Sequence, residues 1–501
     1  MILLLIPLLL GWHLATTATA PTSRAHANTM HHVYVILWFD TEDYILPRSD
    51  DAAKRVADML TNLGVRATFK VVGEKARTLE RRGRSDVVEA LKRHEIGYHS
   101  NTHSQHPTPA EYEEPLGWDE GVREFTRRER SGFEDVKRIF GRAPTCYGQP
   151  GSSWAPQSFG ALRQWGVNVY LDEAGQVGLD GKPFWYGGLL NIFNTREGGR
   201  IRANATWSNL EDATREFAGF NKSMSATGGI ISIFFHPCEF VHAQFWDGVN
   251  FAHGANPPRD AWKLPPMKSL DEQERSFKYL EEMVRFLKAY PNVRFITASE
   301  ALKLYGDRAL GREFSRAELA EIAANTARDI SFQTRGDLTL SPADVFALLN
   351  GFVAKVIQGQ ATDGRGVTLR ETPFGPASAC SQGAAVEASW SQFARAVPDV
   401  QEYLERNRRI PSAVWLGSSR VEPESYLTSL ATITTRLLNR EGLPATVAFS
   451  PARLATTKYI AEDKPSLWNW VIFPTGFHAP NLMALARLQA WTLKPAVLHD
   501  N

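Results

Sequence analysis

From Val33 to about Tyr305 the chain alternates between two hydrophobic patterns. The unbroken apolar run VYVILWF (33–39) and strand-like runs such as ATFKVV (67–72) and GIISIFF (229–235) are followed by longer stretches with apolar residues three and four apart. An unbroken run of this length reads as a strand buried on both faces, and the longer period as an amphipathic helix. EIGYH, PTCYG, VNVYL, LLNIF and VRFIT are further strand candidates. Helices are predicted over 51–64, ended by Gly64, and over 85–94, 121–140, 156–165, 210–224 and 270–288. Strands that alternate with helices pair in parallel through right-handed crossovers. Seven or eight strands over roughly 270 residues predict an α/β fold, a distorted (β/α) barrel, with an open doubly wound sheet as second choice.

Beyond about Gly311 the strand-like runs thin out and amphipathic helices dominate, as in SPADVFALLNGFVAKVI and EPESYLTSLATITTRLLNR. A repeat is visible. FARAVPDVQEYLERNRRIPSAV starts at Phe393 and YLTSLATITTRLLNREGLPATV at Tyr426, with Ile410-Pro411 and Leu443-Pro444 in register, as are Val414 and Val447. An earlier, diverged copy begins near Phe346. The expected division is a leader at 1–27, a barrel at 28–308 and a mainly α-helical, repeat-containing domain at 309–501.

Composition narrows the function. A chain of 501 residues exceeds one compact core. Lys and Arg total 56 against 55 Asp and Glu, so nothing in the charge calls for nucleic acid or an anionic membrane. Met1 to Leu10 is almost wholly apolar but too short to span a bilayer. Small residues follow, up to Ala25-His26-Ala27, which reads as an export signal with its cleavage site. The expected location is extracellular, periplasmic or wall-associated, with no membrane span in the mature chain. Three cysteines make no disulfide framework. Cys146 and Cys238 each stand two residues from a candidate site position, so one bridge between them is left open.

The titratable residues fall at strand ends, where the chemistry of a β/α barrel sits. VYVILWF runs into Asp40, Thr41, Glu42 and Asp43. EIGY runs into His99, with His103 four residues on. VNVYL is followed by Asp172 and Glu173, and GIISIFF by His236. Two histidines with a carboxylate from another strand are a ligand set for zinc or a similar divalent cation with one position open to water. A second carboxylate would act as general base and His236 as general acid. No nucleophile elbow, phosphate loop or dinucleotide fingerprint is present.

WFDTED, YHSNTH, YGQPGSSWAP and FFHP, in that order, resemble the polysaccharide deacetylase family with its NodB-homology domain, over about Val33 to Tyr305. The resemblance implies a distorted barrel, a divalent metal (usually zinc) held by one Asp and two His, and removal of an N- or O-acetyl group from a carbohydrate. Carried over, Asp40 matches the base, His99 and His103 the metal histidines, and His236 the acid. For the metal carboxylate Asp43 is preferred, because the family ligand is Asp; Glu42 shares a face with Asp40 if the strand continues. The family often carries an Arg before the Pro of the third motif, where it orients the base. Here Gly148 and Gln149 stand instead, so either another cation replaces it or the base is tuned differently. The substrate wall is expected from Tyr147, Pro150, Ser153, Trp154 and Asp172, with core packing as the competing reading of Trp154. The C-terminal copies resemble the pseudomurein-binding repeat, which implies contact with a wall polymer; a helical domain that only packs on the barrel is the alternative.

The expectation is therefore an exported, metal-dependent deacetylase of a peptidoglycan- or exopolysaccharide-type glycan. A non-sugar amide hydrolase on the same barrel and a glycan-binding protein with a degenerate site are the alternatives.

Overall fold

The structure is a computed structural model. It describes residues 31–193, 200–202, 210–360, 366–381 and 384–499. The expected leader lies outside these residues. Among the described residues the main sheet has eleven strands, ten of them from the first part of the chain: β1 (Val33–Thr41), β2 (Thr68–Val71), β3 (Glu95–Tyr98), β4 (Cys146–Tyr147), β5 (Val169–Asp172), β6 (Phe184–Tyr186), β7 (Leu189–Phe193), β8 (Arg200–Arg202), β9 (Gly229–Phe235) and β10 (Val293–Ile296). Their spatial order is β6-β7-β5-β4-β3-β2-β1-β9-β8, and β10 also pairs with β1. All are parallel except β6, which runs antiparallel to β7. On one side β1 pairs with β9 along most of its length. On the other it pairs first with β10, over Val33–Ile36, and then with β2, over Trp38–Thr41. Every strand predicted from an apolar run forms; FWY (184–186) and Arg200–Arg202 are additional.

Alternation along β1 divides its side chains between two cores. Val33, Val35, Leu37 and Phe39 join the cluster under the surrounding helices. Tyr34, Ile36 and Trp38 instead meet Cys146, Leu171, Leu190 and Phe234 from other strands, inside the barrel. Asp40 is next on the inner face. The sheet must curl strongly. Asp40 ends β1 and Asp172 ends β5, four strands away, or about 19 Å in a flat sheet. Yet Lys70 of β2 lies 3.0 Å from one carboxylate and 2.5 Å from the other.

The C-terminal half is built on helices Arg316–Thr326, Pro342–Ile357, Trp390–Asn407 and Pro423–Leu438. Ser315, Ser341 and Ser389 open the first three with capping boxes, which satisfy free N–H groups at the helix starts. The repeat has a structural counterpart, since Val414 and Val447 both lie in short strands that follow a helix. Their pairing differs, however. Val414–Leu416 forms a hairpin with Ser419–Val421, whereas Thr446–Phe449 pairs with Val386–Ser389.

This half does not stand apart from the barrel. Lys494–Pro495 adds an antiparallel strand to β6. Lys494 is buried between Asp307 and Asp344, at 2.6 and 2.8 Å. Among the described residues no helix is long and apolar enough to cross a membrane.

Candidate active site

Three donor atoms converge at the carboxyl ends of β1 and β3. Glu42, His99 and His103 each offer one ligand atom, all within 4.8 Å of one another. The Glu42 carboxylate lies 3.3 Å from His99 Nε2 and 2.9 Å from His103 Nε2. All three residues are buried. The outer nitrogens are held. His99 Nδ1 lies 3.0 Å from the Gly148 carbonyl, and His103 Nδ1 lies 2.6 Å from Ser104 Oγ. Trp246 Nε1 donates to the other Glu42 oxygen at 2.9 Å. Such outer contacts fix the rings so that Nε2 faces the site, as in metal-binding histidines.

Two further observations fit a cation. His103 Nε2 is buried and, although 2.9 Å from the Glu42 carboxylate, makes no well-aligned hydrogen bond. Burial pushes the His99 pKa down despite nearby Asp40 and Glu42, which keeps the imidazole neutral, as a metal ligand must be. On Glu42 burial acts upward, but His103 and His236 outweigh it and hold the carboxylate well below its usual range.

Asp43, the preferred ligand on sequence grounds, does not join this group. The chain leaves the strand at this point. Asp43 Oδ1 accepts from the Ile45 and Leu46 backbone N–H groups at 2.8 and 3.2 Å. Oδ2 accepts from Ser49 Oγ and lies 2.9 Å from His242 Nε2. Its acceptor capacity is used in a turn, and Glu42 keeps the face shared with Asp40.

The third motif also needs correction. Tyr147 and Trp154 are fully buried in the aromatic core beside Tyr170 and Phe159. Ser153 Oγ accepts from the Ala110 backbone and donates to Thr108, so its role is to anchor a loop. Neither these residues nor Pro150 line the cavity; Gln149, Gly151 and Ser152 do. Asp172 is at the cavity, but it is bound to Lys70. Cys146 and Cys238 are both free and buried, so no bridge braces the site.

A cation does stand beside Asp40, although the motif has no arginine. Lys70 has no exposed surface, and its ammonium sits between Asp40 and Asp172 and 4.1 Å above the Trp38 ring. Burial alone would push its pKa down, but Asp172 and Asp40 outweigh this and raise it. Gly148 makes the room: a Cβ there would lie 2.0 Å from Lys70 Nζ. His236 completes the group, with Nε2 3.8 Å from Asp40 Oδ2 and Nδ1 3.5 Å from Glu239. Burial opposes its charged form, but Glu239, Glu42 and Asp40 prevail and its pKa is pushed up to about 10. Asp40, Glu42, His99, His103, Asp172 and His236 all face one cavity of about 760 Å³, within the range of small-ligand sites.

Residues 27–170 match the polysaccharide deacetylase family model. Residues 27–170 thus carry a domain of the polysaccharide deacetylase family. The match contains Asp40, Glu42, Lys70, His99 and His103 and stops before Asp172 and His236. No curated protein matches the chain. Solved structures similar to it include a protein described as a polysaccharide deacetylase from Mycobacterium smegmatis, 14% identical, covering 57% of this chain and 93% of its own, TM-score 0.37. Another is a peptidoglycan N-acetylglucosamine deacetylase, 16% identical, covering 54% and 92%, TM-score 0.31. A third is an allantoinase, 10% identical, covering 57% and 93%, TM-score 0.37.

Proposed function

We propose that the protein is a metal-dependent hydrolase that removes acetyl groups from an N- or O-acetylated glycan of peptidoglycan or exopolysaccharide type. The observation that carries this reading is the meeting of Glu42, His99 and His103 with Asp40 and His236 at a single cavity. A divalent cation, zinc by donor type, would be held by Glu42, His99 and His103, and would supply Lewis acidity to the acetyl carbonyl and to water.

The chain's own residues supply the proton transfers. Asp40 accepts a proton from water as the water oxygen bonds to the acetyl carbon. Lys70 holds one Asp40 oxygen in place and is itself anchored by Asp172, so Lys70 is a positioning residue. His236 stands ready in its protonated form. It gives its proton to the departing amine nitrogen or alcohol oxygen as the bond to the acetyl carbon breaks, leaving acetate and the free sugar group. The apolar start of the chain and Ala25-His26-Ala27 support export to where such glycans are found.

The test is acetate release from peptidoglycan, chitooligosaccharides and acetylated exopolysaccharides, run beside metal analysis. About one zinc per chain, with acetate release abolished in His99→Ala, supports the proposal. Bound zinc without acetate release from any glycan would sink it.

A further inference from the structure

The C-terminal half reaches back over the barrel mouth. On one rim, Val177 and Ile460 form an antiparallel bridge. Beside it the Ala461 N–H donates to the Gln176 carbonyl at 2.9 Å. Gln176 Nε2 then donates to the Leu467 carbonyl at 3.2 Å. On the other rim, the His253 and Gly254 N–H groups donate to the Val471 and Ile472 carbonyls at 3.0 and 2.7 Å. Ile472 is fully buried in a cluster with Tyr44, Trp246 and Phe251. The first rim follows β5 and the second follows β9, five steps apart in the sheet order, so they flank the curled barrel's mouth. Residues 460–472 therefore form a strap tied by its backbone at both ends.

The strap builds part of the cavity. Leu467, Asn469, Trp470 and Val471 line it together with Asp40, Glu42 and His236. Trp470 is its best-fixed member. Its backbone N–H donates to Ser152 Oγ at 3.2 Å and its indole N–H to Asp247 Oδ2 at 2.6 Å. Its ring stands edge-on to His103, with centroids 5.1 Å apart. Gly151 is required beneath it: a Cβ there would lie 2.2 Å from the indole, and the backbone has φ +50°. A rigid indole with an anchored N–H offers a large contact surface at little entropic cost.

We propose that residues 466–471 form a wall of the sugar-binding pocket, with Trp470 as its main specificity residue. The strapped mouth then selects a short or chain-terminal acetylated glycan over the interior of a long polymer. A polymer cut in mid-chain needs a groove open at both ends, and the strap crosses between the two rims where such a groove would run. The inference takes the acetylated sugar from the deacetylase reading and adds its length and the residue that contacts it.

The test compares the full, zinc-loaded chain with Trp470→Ala and Trp470→Phe, using tri-N-acetylchitotriose and soluble glycol chitin. The intact protein should favour the trisaccharide in kcat/KM by more than about tenfold, and product sequencing on longer oligomers should find the free amine at a terminal sugar. Trp470→Ala should raise KM by about tenfold with kcat nearly unchanged, the loss expected of one buried aromatic contact. Calorimetric titration with the trisaccharide should show the same weakening in affinity. Trp470→Phe, which keeps the packing over Gly151, controls for folding and should fall between. Equal use of interior and terminal sugars, or an unchanged KM and affinity in Trp470→Ala, would overturn the proposal. Trisaccharide binding that depends on Trp470, with no acetate released from any glycan of the screen above, would support the pocket wall and remove the deacetylase reading. Neither binding nor acetate release with any of those glycans would overturn both.

Discussion

Glu42 and Asp43 are consecutive carboxylates at the end of one strand, each beside histidine, yet they serve opposite ends. Asp43 meets Ser49 and His242, the residue types of a hydrolytic triad, but all three are buried and both partners of His242 lie on the same nitrogen, Nε2. Backbone N–H groups fill the rest of the Asp43 acceptor capacity, and Lys75 donates to its carbonyl. Nothing is left for a ligand. Glu42 accepts one indole N–H and otherwise faces the Nε2 atoms of His99 and His103 at the edge of a cavity. Residue type is almost the same in the two clusters. What separates a site from a brace is the bonding capacity the fold leaves unspent.

The contrast is broken most severely on the Glu42 side. His103→Ala should lose the metal and lower kcat/KM by roughly 1,000-fold or more, read by metal analysis and acetate release. On the other side, Asp43→Ala should leave metal content intact but cost about 3 kcal/mol of stability, because the buried Ser49 hydroxyl, His242 and the Ile45 and Leu46 N–H groups lose their acceptor, while Lys75 keeps Asp50. Denaturant unfolding measures this, and loss of metal with unchanged stability would reverse the assignment.

Lys70→Met should come next. It should keep the metal and lower kcat roughly 100-fold with little change in KM, as expected when a base loses its orientation. Gly148→Arg should be inactive, because its Cβ would fall 2.0 Å from Lys70 Nζ and 2.1 Å from Asp172 Oδ2.

The smallest effect concerns a buried carboxyl behind the loop that carries His99 and His103. Glu129 accepts from Tyr98 Oη and the Asn101 N–H, and burial pushes its pKa from 4.5 up to about 7. The unfolded chain ionises first, so this group makes stability fall as pH rises from about 4.5 to about 7. Glu129→Gln keeps an acceptor and should remove that fall, gaining about 2 kcal/mol at pH 8. Chemical denaturation at pH 5 and pH 8 provides the check.

Much of this was legible in the chain. Apolar runs that end in Asp40, His99, Asp172 and His236 placed the chemistry at one barrel mouth, because strand direction and strand ends are local properties. Strand alternation also placed Glu42 on the Asp40 face; the preference for Asp43 came from family habit and did not survive the turn at Ile45. Lys70 was passed over, although a lysine inside ATFKVV, a run read as a strand of the barrel, is itself a demand for a counter-charge. Trp154 was misplaced because closeness in sequence to a motif says nothing about which side of a loop a side chain takes. Trp470 had no local signal at all. Its role depends on contacts with Ser152 and Asp247, more than two hundred residues earlier in the chain.

The pairing of Lys494–Pro495 with β6 bears on how the protein comes to exist. During synthesis β6 emerges some three hundred residues before the strand that covers it, and Asp307 and Asp344 are made long before the ammonium that neutralises them. Until then the nascent barrel has an uncovered edge, the kind of surface that other chains can pair with. A fragment trimmed at residue 308 for convenience would keep that edge permanently, and would lose the strap as well.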